Sequence, residues 1–303
     1  MNRRTFMASA AGAAALSTLG SAAAQEDLVV KRFANTDELA AYTRLSALNQ
    51  PLLMAHRAGY SPQGVWPECA IESAENVVRT GPAMIEIDLR RTADGAMVCL
   101  HDATLDRETT GSGEVKAISL ADFKQFQLRD ATGAVTEFKP ATFEEFLAWG
   151  DNGALLWLDT KDVDPAELVA VIRDYQAEAR VIVSAYGRDT LAAYMQTAPD
   201  LVYFVPIIPD LELPDLEAVL ATGLDPNHMI GFAGWYVPNL RRSLAMAERD
   251  IPALLDLGRA DSRLTPDQLD DRLYTTAVAE GFPMMNTDQY AAVMDILKIK
   301  TWA

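Results

Sequence analysis

The chain has 303 residues, half of them hydrophobic, which is enough to bury one large core and excludes a disordered or fibrous protein. With 26 basic and 43 acidic residues the net charge is −17. A surface that acidic repels nucleic acid and anionic membranes unless a local basic patch intervenes, and basic clusters go no further than pairs such as Arg241-Arg242. Only Cys69 and Cys99 are available, so no disulfide framework supports the fold. Two buried thiols are expected, with a single bond between them open in an oxidising compartment.

In chain order, residues 1–24 separate first. Arg3-Arg4 is followed by an alanine-rich, weakly apolar stretch ending at Ala24 with no further charge. This reads as a twin-arginine export signal, which makes the export machinery a transient partner and the location periplasmic or secreted. The stretch is too short and small-sided for a stable membrane anchor. Its removal takes two arginines and no acids, moving the charge from −17 to −19.

Residues 25–303 then alternate between short, branched apolar runs and longer stretches with helical spacing. Candidate strands are 52–56, 84–89, 97–101, 155–161, 180–184, 202–207, 229–232, 252–257 and 284–287. Candidate helices are 142–149, 165–177, 188–197, 213–221, 238–249 and 265–280, the last opening on Thr265-Pro266-Asp267-Gln268. Strands that are apolar throughout imply a parallel sheet covered on both faces. About eight such units in one domain favour an α/β fold of the (β/α)8 TIM-barrel type. The first strand leads into His56-Arg57-Ala58-Gly59, which lacks the glycine spacing of an open nucleotide-binding sheet. Residues 102–150 form a long loop elaboration within the single domain.

Charge sits at the predicted strand ends. Residues two apart on a strand share a face about 6.5 Å apart, so Glu86 pairs with Asp88, and Asp159 with Lys161. Acids on buried strands suggest a hard cation with oxygen ligands, and His56 and His101 follow apolar runs nearby. On a barrel, all six groups are expected at the carboxyl ends of strands, where active sites lie. His228, on a polar turn after Asp225-Pro226-Asn227, is expected at the surface.

Ala55-His56-Arg57-Ala58-Gly59, Pro67-Glu68-Cys69-Ala70, Ile85-Glu86-Ile87-Asp88 and His101-Asp102-Ala103-Thr104-Leu105-Asp106-Arg107 occur in that order. With Thr109-Thr110-Gly111-Ser112-Gly113 and Asn286-Thr287-Asp288, they make the chain resemble the glycerophosphodiester phosphodiesterase family, of the phospholipase C-like barrel type. The resemblance is dense over 52–113 and weaker over 162–280. It implies a phosphoric diester hydrolase that converts a small glycerophosphodiester to glycerol phosphate and an alcohol. His56 and His101 would be the acid/base pair, and Glu86, Asp88 and Asp159 ligands of one divalent cation. Such a reaction needs nonbridging charge neutralised, a nucleophile deprotonated and a leaving alkoxide protonated. One cation and two groups titrating near neutrality supply all three.

Arg57 and Lys161 are candidate phosphate contacts, Arg57 as a fork and Lys161 as a point charge. Trp235 or Tyr236 could meet the leaving alcohol, or pack in the core. Glu68 is a brace near the site or a helix-start carboxylate, and Asp102 a support for a histidine tautomer. Asp159 stands where the family commonly has glutamate, so it is a ligand or else a salt-bridge partner of Lys161. Leu254-Leu255-Asp256-Leu257-Gly258 also departs from the family's aromatic pattern, which bears on substrate more than on reaction. Oxygen ligands suit Mg2+ and Ca2+ alike. A sphingomyelinase D-like headgroup phospholipase forming a cyclic phosphate shares the Asp-x-Lys step and is the alternative. A barrel that only binds phosphodiesters is a further one.

Overall fold

In a computed structural model, which describes residues 28–302, the chain builds a closed parallel barrel of eight strands with one antiparallel strand outside it. The export-signal reading of residues 1–24 lies outside the described residues. The strands are β1 (Leu52–Ala55), β2 (Ala83–Arg91), β3 (Met97–Cys99), β4 (Leu156–Thr160), β5 (Val181–Ser184), β6 (Val202–Val205), β7 (Met229–Trp235), β8 (Ala253–Asp256) and β9 (Met284–Thr287). β1 pairs with both β2 and β9, which closes the ring. The helices are α1 (Thr36–Thr43), α2 (Ile71–Thr80), α3 (Leu120–Phe123), α4 (Phe143–Trp149), α5 (Pro165–Asp174), α6 (Arg188–Thr197), α7 (Leu216–Leu220), α8 (Leu240–Ala247), α9 (Gly258–Asp261), α10 (Asp271–Ala279) and α11 (Tyr290–Leu297). None of them is long and apolar enough to cross a membrane.

The pleat sorts the strand residues into two cores. Leu53, Ala55, Ile85, Ile87, Leu156, Leu158 and Leu255 face outward into the layer beneath the helices. Leu52, Met54, Met84, Trp157, Phe204, Phe232, Leu254 and Met284 fill the barrel, which Leu39 and Ala40 of α1 close from below. The inward parity continues up each strand into polar residues: Met84 leads to Glu86 and Asp88, Trp157 to Asp159, Leu254 to Asp256 and Met284 to Asn286. The acids therefore crown an apolar stack at the carboxyl ends of the strands.

Three expectations need correction. His101 does not follow a barrel strand, because β2 runs past the barrel to Arg91 and turns back at Gly95 into antiparallel β3. The predicted helix 265–280 breaks into a turn at Pro266–Gln268 and α10, because Asp270 caps a new start by accepting from the Arg272 amide. His228 is buried, 8% exposed, because α1 docks across the bottom of the barrel and brings Asp37 to 3.2 Å from its Nε2. Five helices, α1, α2, α3, α9 and α11, were not anticipated. Cys69 and Cys99 are both free and buried.

Candidate active site

The site begins where β1 ends. His56 is followed by three left-handed residues, Arg57 (φ 50°), Ala58 (φ 61°) and Gly59 (φ 76°). That turn aims the Arg57 amide at Glu86, donating to its Oε2 at 2.6 Å. Only glycine suits the last position, since a Cβ there would lie 2.0 Å from Val77 of α2.

Two histidine assemblies flank the mouth. His56 Nδ1 lies 2.6 Å from Asp288 Oδ1, and Tyr60 donates to Asp288 Oδ2 at 2.8 Å. Asp288 is set from behind by Asp261, which accepts from the Asp288 amide and from the Thr287 and Tyr274 hydroxyls. Burial alone would lower the His56 pKa, but the hydrogen bond and charge of Asp288 outweigh it and push it up to about 9. His101 Nδ1 lies 2.8 Å from Asp102 Oδ1, and its Nε2 is 2.9 Å from Arg57 Nη2. Since a guanidinium only donates, Nε2 is the acceptor and Nδ1 carries the proton.

Arg107 ties this side together, bonding Glu68, Asp102 and Glu108. Its hydrogen bond holds the Asp102 carboxyl well below the usual range. Glu108 in turn accepts from the His101 and Asp102 amides. Glu68, buried at 6% exposure, bridges Arg57 and Arg107, so it braces the site. His101, Asp102 and Glu108 also converge closely enough to hold an ion, but Arg107 already supplies their positive charge.

Glu86, Asp88 and Asp159 present oxygens within 4.8 Å of one another. β2 and β4 pair in register here, with Asp88 opposite Asp159. Burial and the Asp88 charge push Glu86 up to about 8. Burial and Asp88 likewise raise Asp159. Asp88 is lowered, because Lys161, His101 and Arg57 outweigh its burial. Lys161 Nζ bridges Asp88 at 2.9 Å and Asp159 at 2.7 Å. Asp159 Oδ1 is buried without a hydrogen-bond partner, the Tyr186 hydroxyl lying alongside but outside bonding geometry. An orphaned carboxylate oxygen in an all-oxygen set with too few cations is a fit for a hard divalent ion.

Beside these acids lies a cavity of about 140 Å³, walled by Trp157, Tyr186, Phe204, Phe232 and Trp235, with His56, Asp256 and Asn286 at its polar end. Asn286 donates to Asp256 at 3.0 Å, while its own Oδ1 is buried and unpartnered. A second, more open hollow holds His56, Arg57, His101, Asp288 and Arg259. Trp235 stands between the two with Arg259 over its ring at 5.3 Å. Tyr236 lines neither.

The structure thus gathers His56, His101, Arg57, Lys161, Trp235, Glu86, Asp88, Asp159, Glu68 and Asp102 at one end of the barrel. Asp288, Tyr60, Arg107, Glu108, Asp256 and Asn286 join them without having been assigned a place. Asn286-Thr287-Asp288 at a strand end was the signal for Asp288, and the Leu254, Asp256 alternation the signal for Asp256.

Residues 56–204 match the profile of the glycerophosphoryl diester phosphodiesterase family. Among curated proteins, the glycerophosphodiester phosphodiesterase of Caldanaerobacter subterraneus is 32% identical over 158 residues, 50% of this chain and 64% of that protein. The Bacillus subtilis glycerophosphodiester phosphodiesterase is 27% identical over 194 residues, 57% of this chain and 64% of that one. The aligned region thus spans just under two thirds of both relatives. Among solved structures, a glycerophosphoryl diester phosphodiesterase from Parabacteroides distasonis superposes with a TM-score of 0.79 at 24% identity, over 90% of this chain and 93% of that one. A phosphodiesterase from Oleispira antarctica, solved with the product sn-glycerol-3-phosphate, gives 0.63 at 18% identity, over 82% and 97%. At these identities the two structures bear on the fold.

Proposed function

Because segment 56–204 belongs to the glycerophosphoryl diester phosphodiesterase family, we propose that this protein hydrolyses small glycerophosphodiesters to glycerol phosphate and an alcohol. The observation that carries this is the buried Glu86, Asp88, Asp159 set flanked by two carboxylate-held histidines. A divalent cation held by those three residues, Mg2+ or Ca2+, would supply positive charge to the nonbridging phosphoryl oxygens.

The chain's own groups do the rest. Asp288 and Asp102 fix Nδ1 of His56 and His101, leaving each Nε2 for proton exchange, one ring as base and one as acid. Arg57 covers His101 Nε2, and its shift onto a phosphoryl oxygen uncovers that lone pair. Lys161 offers a second contact of the same sign. The glycerol moiety fits the walled cavity, its hydroxyls donating to Asp256 and Asn286 Oδ1 and its carbons lying on Phe232 and Trp235. The leaving alcohol then occupies the open hollow beneath Arg259.

The amino-terminal Arg3-Arg4 segment supports export through the twin-arginine machinery to the periplasm or beyond. The assay is phosphorus NMR of purified protein with glycerophosphocholine: glycerol phosphate should form, stop with chelator and return with Mg2+ or Ca2+. A cyclic phosphate end product would instead favour the sphingomyelinase D-like reading, which the Asp159-Lys161 step motivates. Full activity in the His56→Ala, His101→Ala double variant would remove the assignment.

A further inference from the structure

Among the described residues, five of the nine exposed large apolar side chains fall within ten positions: Trp235 (43%), Tyr236 (52%), Val237 (71%), Leu240 (60%) and Leu244 (64%). The helix they lead into is turned the unusual way. Met246 faces inward, packed beneath Gly231 of β7, while Leu240, Leu244 and Ala247, at i, i+4 and i+7, line the solvent side. A surface helix ordinarily buries that stripe, and a contiguous exposed ridge marks an interaction surface. It is continuous with the active site, because Trp235 at its near end lines both hollows of the mouth.

Charge selects the occupant. Arg241 is exposed on the flank of the ridge and Arg242, further round the helix, is half-buried toward α7, and neither is ion-paired among the described residues. Of the acids on that flank, Glu217 is paired with Arg249 at 2.6 Å, while Asp215, accepting from the Ala218 amide, and Glu248, at the end of α8, keep their charge. In a chain of net charge −17, an unpaired arginine pair beside an apolar ridge matches an anionic partner. Tryptophan and tyrosine are the side chains that settle at a lipid–water boundary, with one end apolar and one wet. A second copy of the chain fits poorly, since a two-fold contact sets each Arg241 near its own image and joins two strongly acidic bodies.

We propose that the Trp235–Leu244 ridge seats on an anionic lipid surface, the apolar side chains entering the headgroup boundary and Arg241 and Arg242 meeting phosphates. The mouth of the site is thereby held at that surface. Binding is measured without turnover, so this goes beyond the hydrolase reading and can fail separately from it.

The test is co-sedimentation of the full chain with phosphatidylcholine vesicles, with and without phosphatidylglycerol. Binding should require phosphatidylglycerol and fall with added salt. It should drop about fivefold for each of Arg241→Ala and Arg242→Ala, and about tenfold or more for Leu240→Asp with Leu244→Asp. Turnover of soluble glycerophosphocholine by these variants should stay at the parent level. Arg241→Ala keeps the test decisive if the aspartates disturb the helix. Absence of vesicle binding, equal binding to neutral vesicles, or unchanged binding by the variants would overturn the proposal. So would a dimer in sedimentation velocity that Leu240→Asp with Leu244→Asp converts to monomer, which would make a second copy the occupant.

Discussion

His56 sits between two opposing influences, burial that disfavours its charge and Asp288 that favours it, and Asp288 prevails with a pKa near 9. The proton is therefore held through neutral pH and released only as pH rises through about 9. Asp288→Asn removes the charge and leaves the burial, so the pKa should fall below the ordinary value of about 6.5. The limb of the pH profile of kcat/KM that belongs to His56 should move to lower pH, with activity reduced about 10²-fold or more; an unmoved profile would show that Asp288 does not act through His56. Much of the site was legible at this scale, because His56 and His101 each follow an apolar run and Glu86 and Asp88 alternate with Ile85, Ile87 and Leu89. Asp261 and Tyr60 were not, and Asp288 was marked only by its strand-end motif, because a carboxylate that orients a histidine 232 residues away leaves no local sign of its partner. Lys161 was legible as a charge at the right place, and its bridging of two acids needed the register of β2 against β4.

Elements were legible as apolar runs, and all nine strands fall where such runs occur. Direction was not, since a buried run carries no mark of parallel or antiparallel pairing; hence β3 was read as one more barrel strand. α2 carries a clear stripe, with Ser73, Ala74, Val77 and Val78 on its buried face, and was not anticipated all the same, while α11 is apolar almost throughout and so shows no polar face to mark its period. The left-handed turn after β1 is the element on which both histidine assemblies depend. Gly59→Ala would force a Cβ to 2.0 Å from Val77 at φ 76°, and Val77 is a short, fully buried side chain of α2 with nowhere to move. We expect a loss of about 2 kcal/mol or more in urea unfolding, with activity falling further than stability because Arg57 and His56 shift together. An unchanged midpoint would show that the turn has slack.

For the whole molecule, a divalent ion held by Glu86, Asp88 and Asp159 would link binding to stability. An ion that binds the folded acids and not the unfolded chain raises stability by about 2.7 kcal/mol at one hundred times its dissociation constant. Mg2+ or Ca2+ should therefore raise the Tm, chelator should lower it, and Asp88→Asn should flatten the dependence; scanning calorimetry reads all three. A Tm indifferent to both ions would count against a cation at Glu86, Asp88 and Asp159.

The Lys161 ammonium between Asp88 and Asp159 has a consequence for the order of assembly. A crown of acids at the top of a barrel would ordinarily repel itself open until an ion arrived, making folding wait on metal supply. With a tethered cation as placeholder, the chain can complete its fold first, and a divalent ion held by these acids would be taken up afterwards. Lys161→Met should couple the two events: the variant should melt well below the parent in chelator and recover most of the difference when the divalent ion is added back.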